Sequence, residues 1–233
     1  MRAKQAVLRT CGASLAAALI VASCAHAAIT GSQPNTRRLV LNGQEIEAET
    51  GIDDATPIVE ELVRRGMSVS ALWRVPGAPT MRLAVVEKPA VETAYGPQLV
   101  ALGVGGDVRV LHESPRLYDD DFVHPTFFTF SNRTLILADH GSEDAYGVLA
   151  WSIENGAVRD LGQLQIALPE EKDVFTRGAA ATARVEMKDG KYVIMIPGPV
   201  LLNPQGEDER QLAKKGEIVT FRESAGRFEL VHR

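Results

Sequence analysis

The chain has 233 residues, 45% of them hydrophobic and 24% charged, and 25 basic against 30 acidic side chains give a formal net charge of −5. This is the composition of a globular protein large enough to bury a core. An acidic chain without a basic stripe is set apart from nucleic acid and from anionic membrane surfaces as partners.

The first residues read as a leader rather than as part of a fold. Arg2, Lys4 and Arg9 precede a twelve-residue apolar run, 12–23 (GASLAAALIVAS). That run is shorter than the roughly 20 residues a spanning helix needs and has the layout of an export signal. Two processing sites compete. Val21-Ala22-Ser23-Cys24 has the form of a bacterial lipobox, in which Cys24 becomes the lipidated first residue. Ala25-His26-Ala27 is an A-x-A site that leaves a soluble chain starting at Ala28. The lipobox is favoured on two grounds. Cys24 would be the one cysteine left after cleavage, and 25–35 (AHAAITGSQPN) is small and polar, as a tether is. Loss of the three basic residues with the signal takes the net charge from −5 to −8. The expected organisation is an export signal over 1–23 (to 27 with the A-x-A cut), a flexible tether over 24–36, and a single β-rich domain over 37–233.

In chain order, 38–41 and 45–49 flank Asn42-Gly43, a strong two-residue hairpin signal because both turn positions need φ > 0. Arg37 and Arg38 face Glu45, Glu47 and Glu49 for cross-strand pairing. Residues 56–66 predict a helix: Thr56 to cap it, Pro57 at the first position, Glu60 and Glu61 before Arg64 and Arg65, and Gly66 to close it. Its stripe of Ile58, Val59 and Leu62 places it on the outside of a sheet. Strands follow at 69–75 and 81–87 around Pro76-Gly77-Ala78-Pro79, and at 98–104 and 108–113 around Gly105-Gly106. Further strands are expected at 126–130, 134–138 and 148–154. Later turns fall at Asn155-Gly156, Asp189-Gly190 and Ser224-Ala225-Gly226. Alternation in Leu164/Ile166/Leu168 and Tyr192/Ile194/Ile196 marks half-buried strands. A short helix is expected at 208–215 and a last strand at 227–231. The fold class is mainly β, antiparallel hairpins forming a sandwich or meandering sheet with one or two short helices. The recurrence of Gly156, Gly190 and Gly226 raises a small irregular β-propeller as the alternative.

Residues 118–156 form the centre of the chain, with four of its seven phenylalanines and one of its two tryptophans. Phe122, Phe127, Phe128, Phe130 and Trp151 read as core. The run Asp139-His140-Gly141-Ser142-Glu143-Asp144 offers three carboxylates and an imidazole around a glycine, and Asp119-Asp120-Asp121 lies just upstream. Calcium takes several oxygen ligands from a bent loop, so Asp119, Asp121, Asp139, Glu143 and Asp144 are the calcium candidates. The spacing is not that of an EF-hand, and a pair of solvated loops is the plainer reading. His112, His124 and His140 share no metal-ligand spacing. No G-x-S-x-G, reactive cysteine or phosphate-binding loop is present. The expected function is that of a non-enzymatic cell-envelope protein, periplasmic or secreted and tethered by lipid at Cys24, binding another protein or a small ligand. The alternative is a secreted hydrolase or calcium-stabilised module using the acidic loops at 119–121 and 139–144.

Overall fold

Four turns carry a non-glycine residue in the left-handed region followed by glycine: Asn42-Gly43, Asn155-Gly156, Asp189-Gly190 and Ala225-Gly226, with a leading φ of 50°, 52°, 52° and 49°. These are the two-residue hairpin turns whose twist matches that of the flanking strands. Each stands where the sequence places it. The computed structural model describes residues 28–89, 96–117, 122–141, 146–169, 176–202 and 210–232.

In chain order the elements are β1 (Ile29–Thr30), β2 (Thr36–Leu41), β3 (Gln44–Glu49), α1 (Ala55–Arg64), β4 (Ser68–Val75), β5 (Ala78–Glu87), β6 (Pro97–Gly105) and β7 (Asp107–Glu113). The middle of the chain supplies β8 (Phe122–Thr129), β9 (Arg133–Gly141), β10 (Tyr146–Glu154), β11 (Ala157–Leu164), β12 (Ile166–Pro169) and β13 (Thr176–Arg177). After a 3-10 turn (Ala180–Thr182) come β14 (Arg184–Lys188), β15 (Lys191–Pro197), β16 (Val200–Leu202), β17 (Arg210–Ala213), β18 (Ile218–Ser224) and β19 (Arg227–His232).

These strands form a first sheet in the order β2-β3-β4-β5-β6-β7 and a middle sheet in the order β11-β10-β9-β8. A third sheet runs β1-β14-β15-β18-β19, with a small sheet β13-β12-β16-β17 beside it. Pairing is antiparallel throughout the described strands except where β3 meets β4 in parallel. There α1 supplies the crossover that a parallel pair requires. The fold is mainly β and antiparallel, as expected.

Three cores separate the layers. Ile58 and Leu62 of α1 pack on Ile46, Leu72 and Leu102 of the first sheet. Trp73, Leu83 and Leu99 on the other face of that sheet meet Phe127, Ile136 and Trp151 of the middle sheet. Phe128, Leu137 and Val148 on the far face of the middle sheet meet Ile166, Tyr192, Ile194 and Phe221. Neighbouring residues of one strand therefore serve different cores, Leu72 and Trp73 in β4 and Phe127 and Phe128 in β8. A strand with a core on each face is buried along its whole length, and β9 and β10 are the most continuously buried strands among the described residues. Among the described residues no core joins the first sheet to the third. The sheets are stacked like successive layers of a sandwich, and the described residues close no ring between the first sheet and the third.

Several expectations need correction. The sequence predicts a tether over 24–36, but Ile29 and Thr30 pair with Val185 and Arg184 of β14. Ser32 exchanges two backbone hydrogen bonds with Phe127, each 2.9 Å, and a Cβ at Gly31 would collide with Thr126 and Phe128. This segment covers the free edge of β8, a use of chain that its small, polar composition does not announce. The helix expected at 208–215 is a strand over Arg210–Ala213, paired with β16, because burying Leu212 and Ala213 together in the third core outweighs a weak local helical preference. Leu164, Ile166 and Leu168 belong to two strands in different sheets, β11 and β12, although all three share one core. In α1 the cap position is Asp54, not Thr56, and Glu61 takes both Arg64 and Arg65.

Candidate functional site

The two ends of the middle sheet differ in chemistry. At one end β8 begins and β9 gives way to β10, and both Phe122 and Tyr146 stand opposite Gly141. The chain that follows 118–121 and the chain on either side of 142–145 therefore meet at one end of one sheet, as a hairpin reading of 126–138 requires. Of the calcium candidates, Asp119, Asp121, Glu143 and Asp144 lie outside the described residues, as does Cys24. Among the described residues no group of three or more histidine, cysteine or acidic side chains is placed to hold a metal ion.

Asp139 differs from its sequence reading. It is not in a solvated loop: β9 continues through Gly141, and Asp139 is 4% exposed. On the alternation of β9 it follows Leu135 and Leu137 onto the face of the third core. There its two carboxylate oxygens accept the Ala180 amide at 2.9 and 3.2 Å, the first amide of the 3-10 turn. Gly178 lies against it so closely that a Cβ there would overlap the carboxylate. Burial pushes the Asp139 carboxyl up to about 6, against the pull of the Ala180 and Ala179 amides and the neighbouring His140. The group is a buried staple between the middle sheet and the segment after β13. Both its oxygens accept from the one Ala180 amide.

The three histidines are not brought together. His140 is buried on the opposite face of β9, where its Nε2 accepts the Gln163 amide at 2.7 Å. His124 is exposed and borders a small cavity of about 170 Å3 shared with Gln33, Glu47 and Trp73. His112 of β7 meets Trp151 edge to face, with ring centroids 4.8 Å apart. Of the aromatic cluster, Phe127, Phe128 and Trp151 are core and Phe130 is packed against the third core. The Phe122 side chain lies outside the description.

The other end of the stack is a cleft that the sequence did not suggest. The hairpin tips β4–β5 (77–80), β8–β9 (130–134) and β10–β11 (153–156) converge around an open volume of about 500 Å3, within the range of small-ligand sites. Thr134 Oγ1 donates to the Pro76 carbonyl at 2.7 Å and ties the first tip to the second. Around the cleft, Thr80, Ser131, Asn132 and Asn155 offer hydroxyls and amides, with Pro79, Phe130 and Ile153 as apolar wall. Among the described residues its one ionisable side chain is Arg133, whose guanidinium is held by Glu154 at 2.9 Å and the Gly190 carbonyl at 3.2 Å. The lining can donate and accept hydrogen bonds, and its described residues include no carboxyl, imidazole or thiol. The signal for this cleft was the recurrence of turn dipeptides, which mark tips but not which tips meet.

No protein-family profile, curated protein or solved structure matches this chain.

Proposed function

We propose that the protein is a non-enzymatic binding domain of the bacterial cell envelope, exported by its N-terminal leader and tethered through Cys24, that takes a small, neutral, polar ligand or a partner's exposed loop in the hairpin-tip cleft. The observation that carries this reading is the lining of the cleft: it has the size of a ligand site and neutral hydrogen-bonding groups, and its one charge among the described residues is already paired. The leader and the lipobox at 21–24 support the location.

Thermal melts against monosaccharides, amino acids and dipeptides test the ligand reading. A ligand at about 100 times its dissociation constant adds about 2.7 kcal/mol, which for a domain of this size is a rise of about 5 to 11 °C. The rise should vanish in Ser131→Trp, which fills the cleft. A rise that survives this substitution would place binding elsewhere. Mass spectrometry of the mature chain tests the location: a lipidated Cys24 is expected, and an intact Met1 in the cytosol would contradict it.

A second reading, a calcium-stabilised module, is favoured by the meeting of Phe122 and Tyr146 opposite Gly141. Phe122 directly follows the acidic run 119–121 and Tyr146 closely follows 143–144, runs that themselves lie outside the described residues. Melts in EDTA and then in excess calcium decide it. Asp144→Ala should abolish a calcium-specific rise, whereas Asp139→Ala should lower the melting temperature with or without calcium.

A further inference from the structure

The N-terminal segment enters the fold at Ala28, which is exposed, and two pairings fix the direction from which it comes. Ser32 stands opposite Phe127 in an antiparallel bridge, so Ile29 is level with Phe130, at the β8–β9 turn. Gly31 agrees with this register, since a Cβ there would meet Thr126 and Phe128. On the other side Ile29 pairs antiparallel with Val185, which directs the chain before it toward the β14–β15 turn. That turn lies at the same end of the molecule, because Arg133 Nη1 donates to the Gly190 carbonyl at 3.2 Å. Phe130 and Arg133 both line the hairpin-tip cleft. The entry of the chain and the cleft are therefore at one end of the stack.

Chain length decides what that end can face. From Cys24 to Ile29 is five residue steps, at most about 17 Å of fully extended chain, against about 42 Å for an unpaired tether over 24–36. The nine residues of β9 run about 30 Å from the tips to the opposite end of the middle sheet. A lipid on Cys24 therefore leaves too little chain for the domain to turn its other end to the bilayer. Given the lipidation of Cys24, on which the proposed location rests, we infer that the hairpin-tip end is the membrane-facing surface. It presents the cleft to the hydrogen-bonding groups of the lipid headgroup layer. The lining suits that partner. Thr80, Ser131, Asn132 and Asn155 offer hydroxyls and amides, and the Arg133 charge is already taken by Glu154. Contact then draws on no net charge, in keeping with an acidic chain, because the buried lipid supplies the attachment.

The test uses the full chain, exported with its leader and placed in phosphatidylcholine vesicles. Once the leader with Cys11 is removed and Cys24 is acylated, an introduced cysteine is the one free thiol. A fluorophore on Ser131→Cys, at the cleft, should lose emission to nitroxide-labelled headgroups. The same fluorophore on Gln165→Cys, exposed at the opposite end of the middle sheet, should keep it. A long flexible Gly-Ser insertion before Ala28 should abolish the difference. In the unlabelled chain the turn amides of Ser131 and Asn132 should exchange more slowly on vesicles than in Cys24→Ala. A lipidated chain that is quenched equally at both positions, keeps the difference with the insertion, or shows unchanged exchange would overturn this inference alone. Equal quenching is the outcome for a cleft that serves a soluble ligand or protein away from the bilayer. A mature chain that begins at Ala28 without lipid would overturn the inference together with the lipid tether.

Discussion

Asp139 is where burial and charge are most directly opposed. Its carboxyl is 4% exposed and raised to about 6 from an ordinary 3.8, with burial the largest cause. A raised acid is favoured in its protonated form by the folded state. Its contribution to stability is therefore fully present below about pH 4 and lost as the pH rises toward 6, a loss on the order of 3 kcal/mol. Urea denaturation from pH 4 to 7.5 should show this slope in the native chain and a flatter one in Asp139→Asn, which keeps an acceptor for the Ala180 amide without a charge. Equal slopes in the two proteins would contradict the assignment. Gly178→Ala should destabilise by about 1 to 3 kcal/mol, because its methyl has to displace the Asp139 carboxylate. The sequence D-H-G-S-E-D reads as a loop because the turn that covers Asp139 arrives about 40 residues later, at Ala180. The available signal was the small-residue run Gly178-Ala179-Ala180-Ala181, which permits close backbone approach.

At the scale of the element, strands bounded by Asn-Gly or Asp-Gly turns were legible because the turn chemistry is local. What local chemistry did not show was where a capping carboxylate is used. Asp54 stands at the cap of α1 without a side-chain cap hydrogen bond and instead accepts Arg82 Nε at 3.0 Å and Nη2 at 2.5 Å. The Arg82 side chain is largely buried, so Asp54→Ala leaves a shielded guanidinium without its partner. It should cost about 1 to 3 kcal/mol by chemical denaturation. Thr56→Ala, the substitution that the sequence alone would choose to break the cap, should stay within about 0.5 kcal/mol. A larger effect of Thr56 than of Asp54 would contradict this placement. The strand β17 was misread for a related reason: acids before lysines imitate a helix, while the pairing with β16 comes from outside the segment.

At the scale of the whole molecule, the stack is built around the middle sheet. Its strands β9 and β10 are hydrogen-bonded on both sides and buried on both faces. The helix α1, by contrast, buries one apolar stripe, and among the described residues β2 is an edge strand. Phe128→Ala should therefore cost about 3 to 5 kcal/mol, whereas Val40→Ala on β2, where the side chain is 74% exposed, should be near neutral. The central position of 118–156 was readable from its density of aromatics. The order of layers was not, because alternation tells which residues share a face and not which sheet meets that face. Native-state hydrogen exchange tests the arrangement most directly. The amides of 135–138 and 148–151 should exchange only through global unfolding, while those of α1 and β2 exchange through smaller openings. Slowest exchange in α1, or early exchange across β9 and β10, would contradict a fold built around that sheet.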